Sequence, residues 1–149
     1  MARLALALCA VLLAACSEAE PTGPAFNTQN GVHEIMEHVL DPAADAVWGG
    51  SGYVITAAGE QDLSPTTPEG WQAVENGAAV VAEAGNLLML PGRGPDEPQW
   101  AAYSRKLSEA GLAAMKAAQA KDKQAVFDTG GKIYEVCVAC HQRYMPKPE

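Results

Sequence analysis

The sequence predicts an all-α protein, an antiparallel up-down four-helix bundle. Four stretches repeat apolar residues at three- and four-residue steps, which is the spacing of a single helix face. Capping residues begin these stretches, proline or glycine residues end them, and two of the three connections are short. The 149 residues, 48% hydrophobic and 19% charged, suit one domain with a buried core.

The first helix is predicted over residues 32–48. Pro42 falls inside this stretch and interrupts the backbone hydrogen bonds of any helix that contains it. The apolar stripe stays in phase across the proline, which favours one kinked helix. The alternative is two short helices, the second capped by Asp41 with Pro42 in its first turn. The stripe consists of Val32, Ile35, Met36, Val39, Leu40, Ala43 and Val47.

Residues 49–66 form a long connection, because they are aperiodic and rich in glycine, serine and threonine. The short apolar run Tyr53-Val54-Ile55 is expected to be loop packed on the core rather than a strand. The second helix then begins with Thr67 as its N-cap and Pro68 in its first position. It ends at the Pro-Gly-Arg-Gly-Pro run of residues 91–95.

The third helix is predicted to begin at Asp96, with Gln99 as its capping-box partner. Small residues lie on its apolar stripe, which indicates close packing against a neighbouring helix. The fourth helix is capped by Asp122 and ends before Pro146. The third helix's stripe consists of Trp100, Leu107, Gly111, Ala114 and Ala118.

The fourth helix carries the motif Cys137-Val138-Ala139-Cys140-His141, in which the two cysteines and the histidine share one helix face. This spacing is the attachment signature of a c-type haem. Two thiols on one face can add to the two vinyl groups of one porphyrin, and His141 is then the proximal axial ligand of the iron. Two alternative interpretations of the motif are weaker. A zinc site with four ligands would need a second pair of ligands, and a redox dithiol normally opens a helix beside a βαβ pattern, whereas no strand pattern precedes this motif.

A haem on this motif would explain a nearby pair of glycines and two nearby cationic residues. Gly130 and Gly131 each disfavour the helix by about 1 kcal/mol relative to alanine. Close approach of the porphyrin or of another helix would explain them, and simple tolerance is the alternative. Arg143 and Lys147 are expected either to pair with haem propionates or to be solvated cations.

The N-terminal segment reads as an export leader. Residues 1–15 form a signal peptide of the lipoprotein type, since Leu13-Ala14-Ala15-Cys16 resembles a bacterial lipobox with Cys16 as the lipidated residue. The alternative is an ordinary secretory signal cut nearby. Residues 16–30 then form a flexible tether and residues 31–149 the folded domain. Ser17 after Cys16 indicates the outer membrane by the enterobacterial sorting habit.

With four amphipathic helices, one Cys-x-x-Cys-His on the last of them and an export leader, the chain resembles the class II c-type cytochromes, the cytochrome c-prime family. The resemblance covers roughly residues 31–145. It implies one covalent haem c on the last helix, held by Cys137 and Cys140, with His141 as the axial ligand and the sixth position facing the first helix. It also raises a homodimer through the first two helices as an expectation.

The resemblance makes Met36 the candidate distal ligand. A methionine at that place implies a six-coordinate electron carrier, whereas leucine leaves an open iron that binds NO or CO. Thioether and imidazole together raise the haem potential. The alternatives are Met36 as a core filler, His33 or His38 as the ligand, or an open site. Met145, one turn past His141, is on the wrong side of the porphyrin.

The net charge and the candidate site residues limit the classes of partner and function that the chain is expected to have. Removal of the leader leaves 9 Lys and Arg against 18 Asp and Glu, a net charge of −9, so nucleic acid is not an expected partner. A basic redox partner protein would be attracted. No hydrolase constellation is evident. The sequence therefore predicts a membrane-anchored, periplasm-facing, single-haem electron carrier rather than an enzyme. A cytochrome c-prime-like gas-binding protein and a haem-less structural lipoprotein are the alternatives.

Overall fold

The computed structural model describes residues 25–95 and 98–145. The signal peptide, Cys16, most of the tether, Asp96, Pro146 and Lys147 lie outside these residues. The described chain is mostly helical, which confirms the all-α class in its coarse form. Its elements are α1 (Val32–Ile35), a π-helical segment (Met36–Leu40), α2 (Asp41–Trp48), β1 (Tyr53–Thr56), β2 (Gly59–Asp62), α3 (Pro68–Leu88), α4 (Pro98–Gln119) and α5 (Lys123–Tyr144).

The chain remains helical from Val32 to Trp48, as the unbroken stripe predicted. Leu40 and Asp41 both have right-handed helical dihedral angles, so Asp41 is not the N-cap of a separate helix. The segment between α1 and α2 is π-helical, with its hydrogen bonds closed over five residues instead of four. At the start, the Glu34 carboxylate accepts a hydrogen bond of 3.0 Å from the Gly31 N–H and completes a capping box.

The expectation for Tyr53-Val54-Ile55 was wrong. These residues belong to β1, which pairs antiparallel with β2 in a hairpin from Tyr53↔Asp62 to Thr56↔Gly59. The hairpin is exposed along its length, and Ile55 is 76% exposed, so the run is not packed on the core. Aromatic and β-branched residues favour extended backbone. Pairing within the hairpin satisfies the backbone groups that a buried loop would leave unpaired.

The predicted helix starts after the hairpin are confirmed where the structure describes them. The Thr67 hydroxyl accepts a hydrogen bond from the Gly70 N–H at 3.1 Å, and Pro68 lies in the first turn of α3. The Asp122 carboxylate accepts one from the Ala125 N–H at 3.0 Å and begins α5. Each side chain satisfies a backbone donor that has no partner within its helix.

The helices pack in pairs around one core. α3 lies against α4, α4 against α5, and α2 against both α3 and α5. The contact between α3 and α4 is close, because a Cβ atom at Gly111 would lie 2.5 Å from the Ala82 nitrogen. The small residues of the third stripe therefore do form a close helix contact. None of the helices that the structure describes has both the length and the apolarity to cross a membrane.

Candidate functional site

One pocket of about 750 Å³ opens at the surface among the helices. All five α-helices and the π-helical segment contribute residues to it. Its size lies within the roughly 300–1,000 Å³ that is usual for cofactor sites, which are mostly apolar with a few placed polar groups. Its inner wall consists of apolar side chains, among them Leu40, Ala44, Leu88, Leu107, Ile133 and Val136.

The cysteine–histidine motif lies on the α5 wall of this pocket. Cys137, Cys140 and His141 all line it, so the shared helix face expected from their spacing is the face that borders the cavity. Both thiols are half-buried, whereas His141 is exposed near the mouth. The position of the motif in the last turns of a long helix leaves two thiols and an imidazole directed toward one apolar space.

Met36 lines the same pocket from a different helical segment, although it is far from the motif in the sequence. Its side chain is half-buried and packs against the core. His33 also lines the pocket, with 82% of its side chain exposed and its Nε2 atom 3.4 Å from Glu37. His38 is not among the lining residues. Tertiary packing thus brings Met36 and His141 to one cavity from two separate walls.

The two thiols differ from those of redox dithiols. Burial raises the pKa of the Cys137 thiol, and burial together with the neighbouring Cys137 raises the pKa of the Cys140 thiol. Catalytic dithiols instead have lowered pKa values, often at a helix N-terminus. Cys137 and Cys140 lie toward the C-terminal end of α5, where the helix dipole disfavours an anion. Both thiols are therefore protonated at neutral pH, and this environment does not match a thiol–disulfide exchange site.

Trp48 is a pocket residue that no sequence motif indicated. Trp48 ends α2, lines the pocket and donates a hydrogen bond from Nε1 to the Gly130 carbonyl at 3.0 Å. A Cβ atom at Gly130 would lie 3.3 Å from the Trp48 ring, whereas Gly131 faces open space. Close approach to another helix therefore explains Gly130 but not Gly131. A bulky aromatic at the end of a stripe, opposite a glycine, was the available signal.

The aromatic side chains near the motif have different surroundings. Tyr134 lines the pocket and makes an edge contact with Trp48 at 6.3 Å between ring centroids. Tyr144 makes edge contacts with Trp100 at 5.2 Å and with Tyr103 at 6.3 Å between ring centroids. The Arg143 guanidinium lies 5.4 Å from the Tyr144 ring centroid. Tyr144 therefore anchors the end of α5 to α4.

No protein-family model, no curated protein and no solved structure matches this chain. Within residues 25–95 and 98–145, no three His, Cys, Asp or Glu side chains converge so as to hold a bare metal ion. A haem iron is bound in the plane by the porphyrin nitrogens and takes only its axial ligands from the protein. The residues of the pocket fit that requirement, since one cavity holds two thiols for attachment and three axial candidates, His141, Met36 and His33.

Proposed function

We propose that this protein is a membrane-anchored, periplasm-facing, single-haem c-type cytochrome that transfers single electrons. One observation supports the proposal above all others: Cys137, Cys140, His141 and Met36 line the same apolar pocket. The pairwise packing of α2, α3, α4 and α5 is compatible with an antiparallel four-helix bundle that carries the haem on its last helix. The chain would then serve as an electron carrier and not as an enzyme.

The motif residues would hold the cofactor. The thiols of Cys137 and Cys140 would each add across one vinyl group, with an S–C bond formed and the thiol hydrogen transferred to the other vinyl carbon. No oxidant or reductant is consumed in this addition. His141 would occupy one axial position of the iron and Met36 the other. A bound haem c supplies the one-electron couple of its iron.

The surroundings of these residues suit electron transfer. A thioether ligand opposite an imidazole favours the reduced iron, and the apolar wall formed by Leu107, Ile133 and their neighbours excludes water from the deeper part of the pocket. With His141 and Met36 both bound to it, the iron would keep the same ligands in both oxidation states. Because His141 is exposed, an electron would have a short path from the site to a partner protein docked at the pocket.

The distribution of charge supports a basic redox partner. Between Arg3 and Arg93 the sequence contains no lysine and no arginine. This part of the chain includes α1, α2 and α3, and the acidic residues Glu37 and Asp41 line the pocket mouth. A negative potential on this side would steer a positively charged protein toward the cavity and would weaken with salt. Lipidation at Cys16, with export, would confine this encounter to the membrane surface.

Mass and visible spectra of the exported protein test the proposal. The intact mass is expected to show one haem and a diacylglycerol on a chain that begins at Cys16, and the pyridine haemochrome assay to show two thioether links. The ferric protein is expected to be low-spin, with the weak far-red band of methionine ligation. A mass without an added tetrapyrrole would contradict the proposal.

Substitution of the distal candidate tests the ligand. Met36→Leu keeps the side chain's volume and removes its sulfur, so the far-red band should disappear and the ferric iron become high-spin. Met115→Leu is the matched control, because Met115 packs on the same core from α4 but is not among the pocket-lining residues. An unchanged Met36→Leu spectrum would exclude Met36 as a ligand. Rapid CO binding by the reduced unaltered protein would support the gas-binding alternative instead.

A further inference from the structure

The helical segment that carries Met36 contains one residue more than an α-helix needs. The N–H of Asp41 donates to the Met36 carbonyl, five residues back, instead of the carbonyl four residues back. A π-helical segment of this kind inserts one residue into an α-helix. One residue corresponds to a rotation of about 100° between the helix before the insertion and the helix after it.

Pro42 explains the position of the insertion. It lies in the first turn of α2, directly after the π-helical segment. Proline has no N–H to donate to the carbonyl of His38, and its ring would clash with that carbonyl in a regular α-helix. The shift of the hydrogen bonds to five-residue closure just before Pro42 removes this conflict without breaking the helix.

The apolar stripe has the same period as the distorted helix. Ile35, Ala43 and Val47 are buried, and the stripe repeats every four residues. In a regular α-helix each four-residue step drifts by about 40°, so the stripe would leave the core face after three steps. Two regular turns, about 7.2 residues, before Ala44 fall closest to Glu37 and not to Met36. The inserted residue therefore turns Met36 toward the core side of the pocket, where it packs, and leaves Glu37 exposed at the pocket's edge.

We infer that Pro42 is a positioning residue: it maintains the π-helical segment that directs the Met36 sulfur into the pocket. The inference rests on the proposed function in treating the pocket as the haem site. Pro42 itself is exposed and does not line the pocket, so its influence passes only through the backbone. A regular α-helix at residues 36–41 would turn the Glu37 carboxylate toward the core side of the cavity, where the Met36 thioether now packs.

Spectra of three variants of the exported holoprotein test this inference. In Pro42→Ala the segment regains regular α-helical bonding, Met36 rotates away, and the far-red band is lost while the haem content stays the same. Pro68→Ala is the matched control, because Pro68 lies in the first turn of α3 and does not line the pocket. Its spectrum should match that of the unaltered protein.

The third variant exchanges the two side chains in the straightened helix. Pro42→Ala combined with Met36→Glu and Glu37→Met places the methionine at the position that faces the pocket, so the far-red band should return. General destabilisation of the site would not be reversed by this exchange. A Pro42→Ala variant that retains the band overturns the inference, and so does an exchange variant that fails to recover it.

A readout that does not depend on the iron separates this inference from the proposed function. With methyl-labelled methionine, nuclear Overhauser contacts should link the Met36 methyl group to pocket side chains in the unaltered protein and disappear in Pro42→Ala. If the unaltered protein lacks the far-red band, the proposed ligand fails, yet these contacts still test the role of Pro42. Contacts that persist in Pro42→Ala overturn that role.

Discussion

Two glycines, one in α4 and one in α5, should respond to alanine in opposite directions. A Cβ atom at Gly111 would lie 2.5 Å from the Ala82 nitrogen, 2.8 Å from the Ala82 Cα and 2.9 Å from the Ala78 carbonyl oxygen. These are backbone atoms of α3 and cannot rotate away as a side chain can. At Gly131, an exposed position in α5, nothing lies within 4 Å of the added atom. The added methyl group would therefore clash with the backbone of α3 at Gly111 and would be exposed to solvent at Gly131.

The expected free energies follow from this contrast. Overpacking a well-packed contact costs about 1–3 kcal/mol, and the backbone clash at Gly111 puts Gly111→Ala at the upper end. Alanine recovers about 1 kcal/mol of helix propensity, which leaves a net loss of about 2 kcal/mol. Gly131→Ala gains the helix propensity of alanine without any clash, so its free energy of unfolding should rise by about 1 kcal/mol. The two variants should differ by about 3 kcal/mol.

Urea denaturation followed by circular dichroism at 222 nm, fitted with a common slope, measures both free energies of unfolding. Each kcal/mol should also move the Tm by about 3–6 °C in a domain of this size. Equal stabilities for Gly111→Ala and Gly131→Ala would refute the close contact between α3 and α4. A stabilised Gly111→Ala would show that the two helices can separate without loss.

Two further predictions concern single hydrogen-bonded contacts. Trp100→Phe removes the indole N–H that donates to the buried Leu88 carbonyl at 2.8 Å, so the free energy of unfolding should fall by about 1–3 kcal/mol; urea denaturation checks this. At the hairpin, the Lys123 ammonium at 2.7 Å, helped by Ser64, holds the pKa of the Asp62 carboxyl well below its usual 3.8. A lowered native pKa means that its contribution is complete above the unfolded value and is lost as the pH falls below about 3.8. The stability difference between the unaltered protein and Asp62→Asn should therefore be constant near neutrality and shrink in acid. A difference that stays constant down to pH 2 would contradict the pairing.

The helices were predictable because local signals determine them. Thr67 and Asp122 each satisfy a backbone donor of their own helix, and a stripe at the α-helical period needs only a partner face to be stable. The hairpin was missed because the short run Tyr53-Val54-Ile55 has the same composition whether it is buried or exposed. Whether these residues form a strand depends on whether another segment of the chain pairs with their backbone. That partner, residues 59–62, carries two acids and no apolar side chain.

The candidate site was predictable only in part, for a related reason. The spacing of Cys137, Cys140 and His141 fixes their common helix face without any knowledge of the rest of the chain. Met36 was named from a resemblance, and nothing in its local sequence distinguishes a ligand from a core residue. Trp48 and Tyr103 also line the pocket, but they became pocket residues only when α2, α4 and α5 came together.

The sequence by itself therefore determined the helical class, the helix starts at Thr67 and Asp122 and the grouping of two thiols and an imidazole on one helix, because each depends on residues within one or two turns of each other. Only the tertiary structure decided that an apolar cavity lies beside that helix, that Met36 lines it while packed on the core, and that Trp48 lines it while bonded to Gly130. These outcomes depend on side chains from distant parts of the chain competing for the same space. Interhelical packing settles that competition, and the local sequence does not encode it.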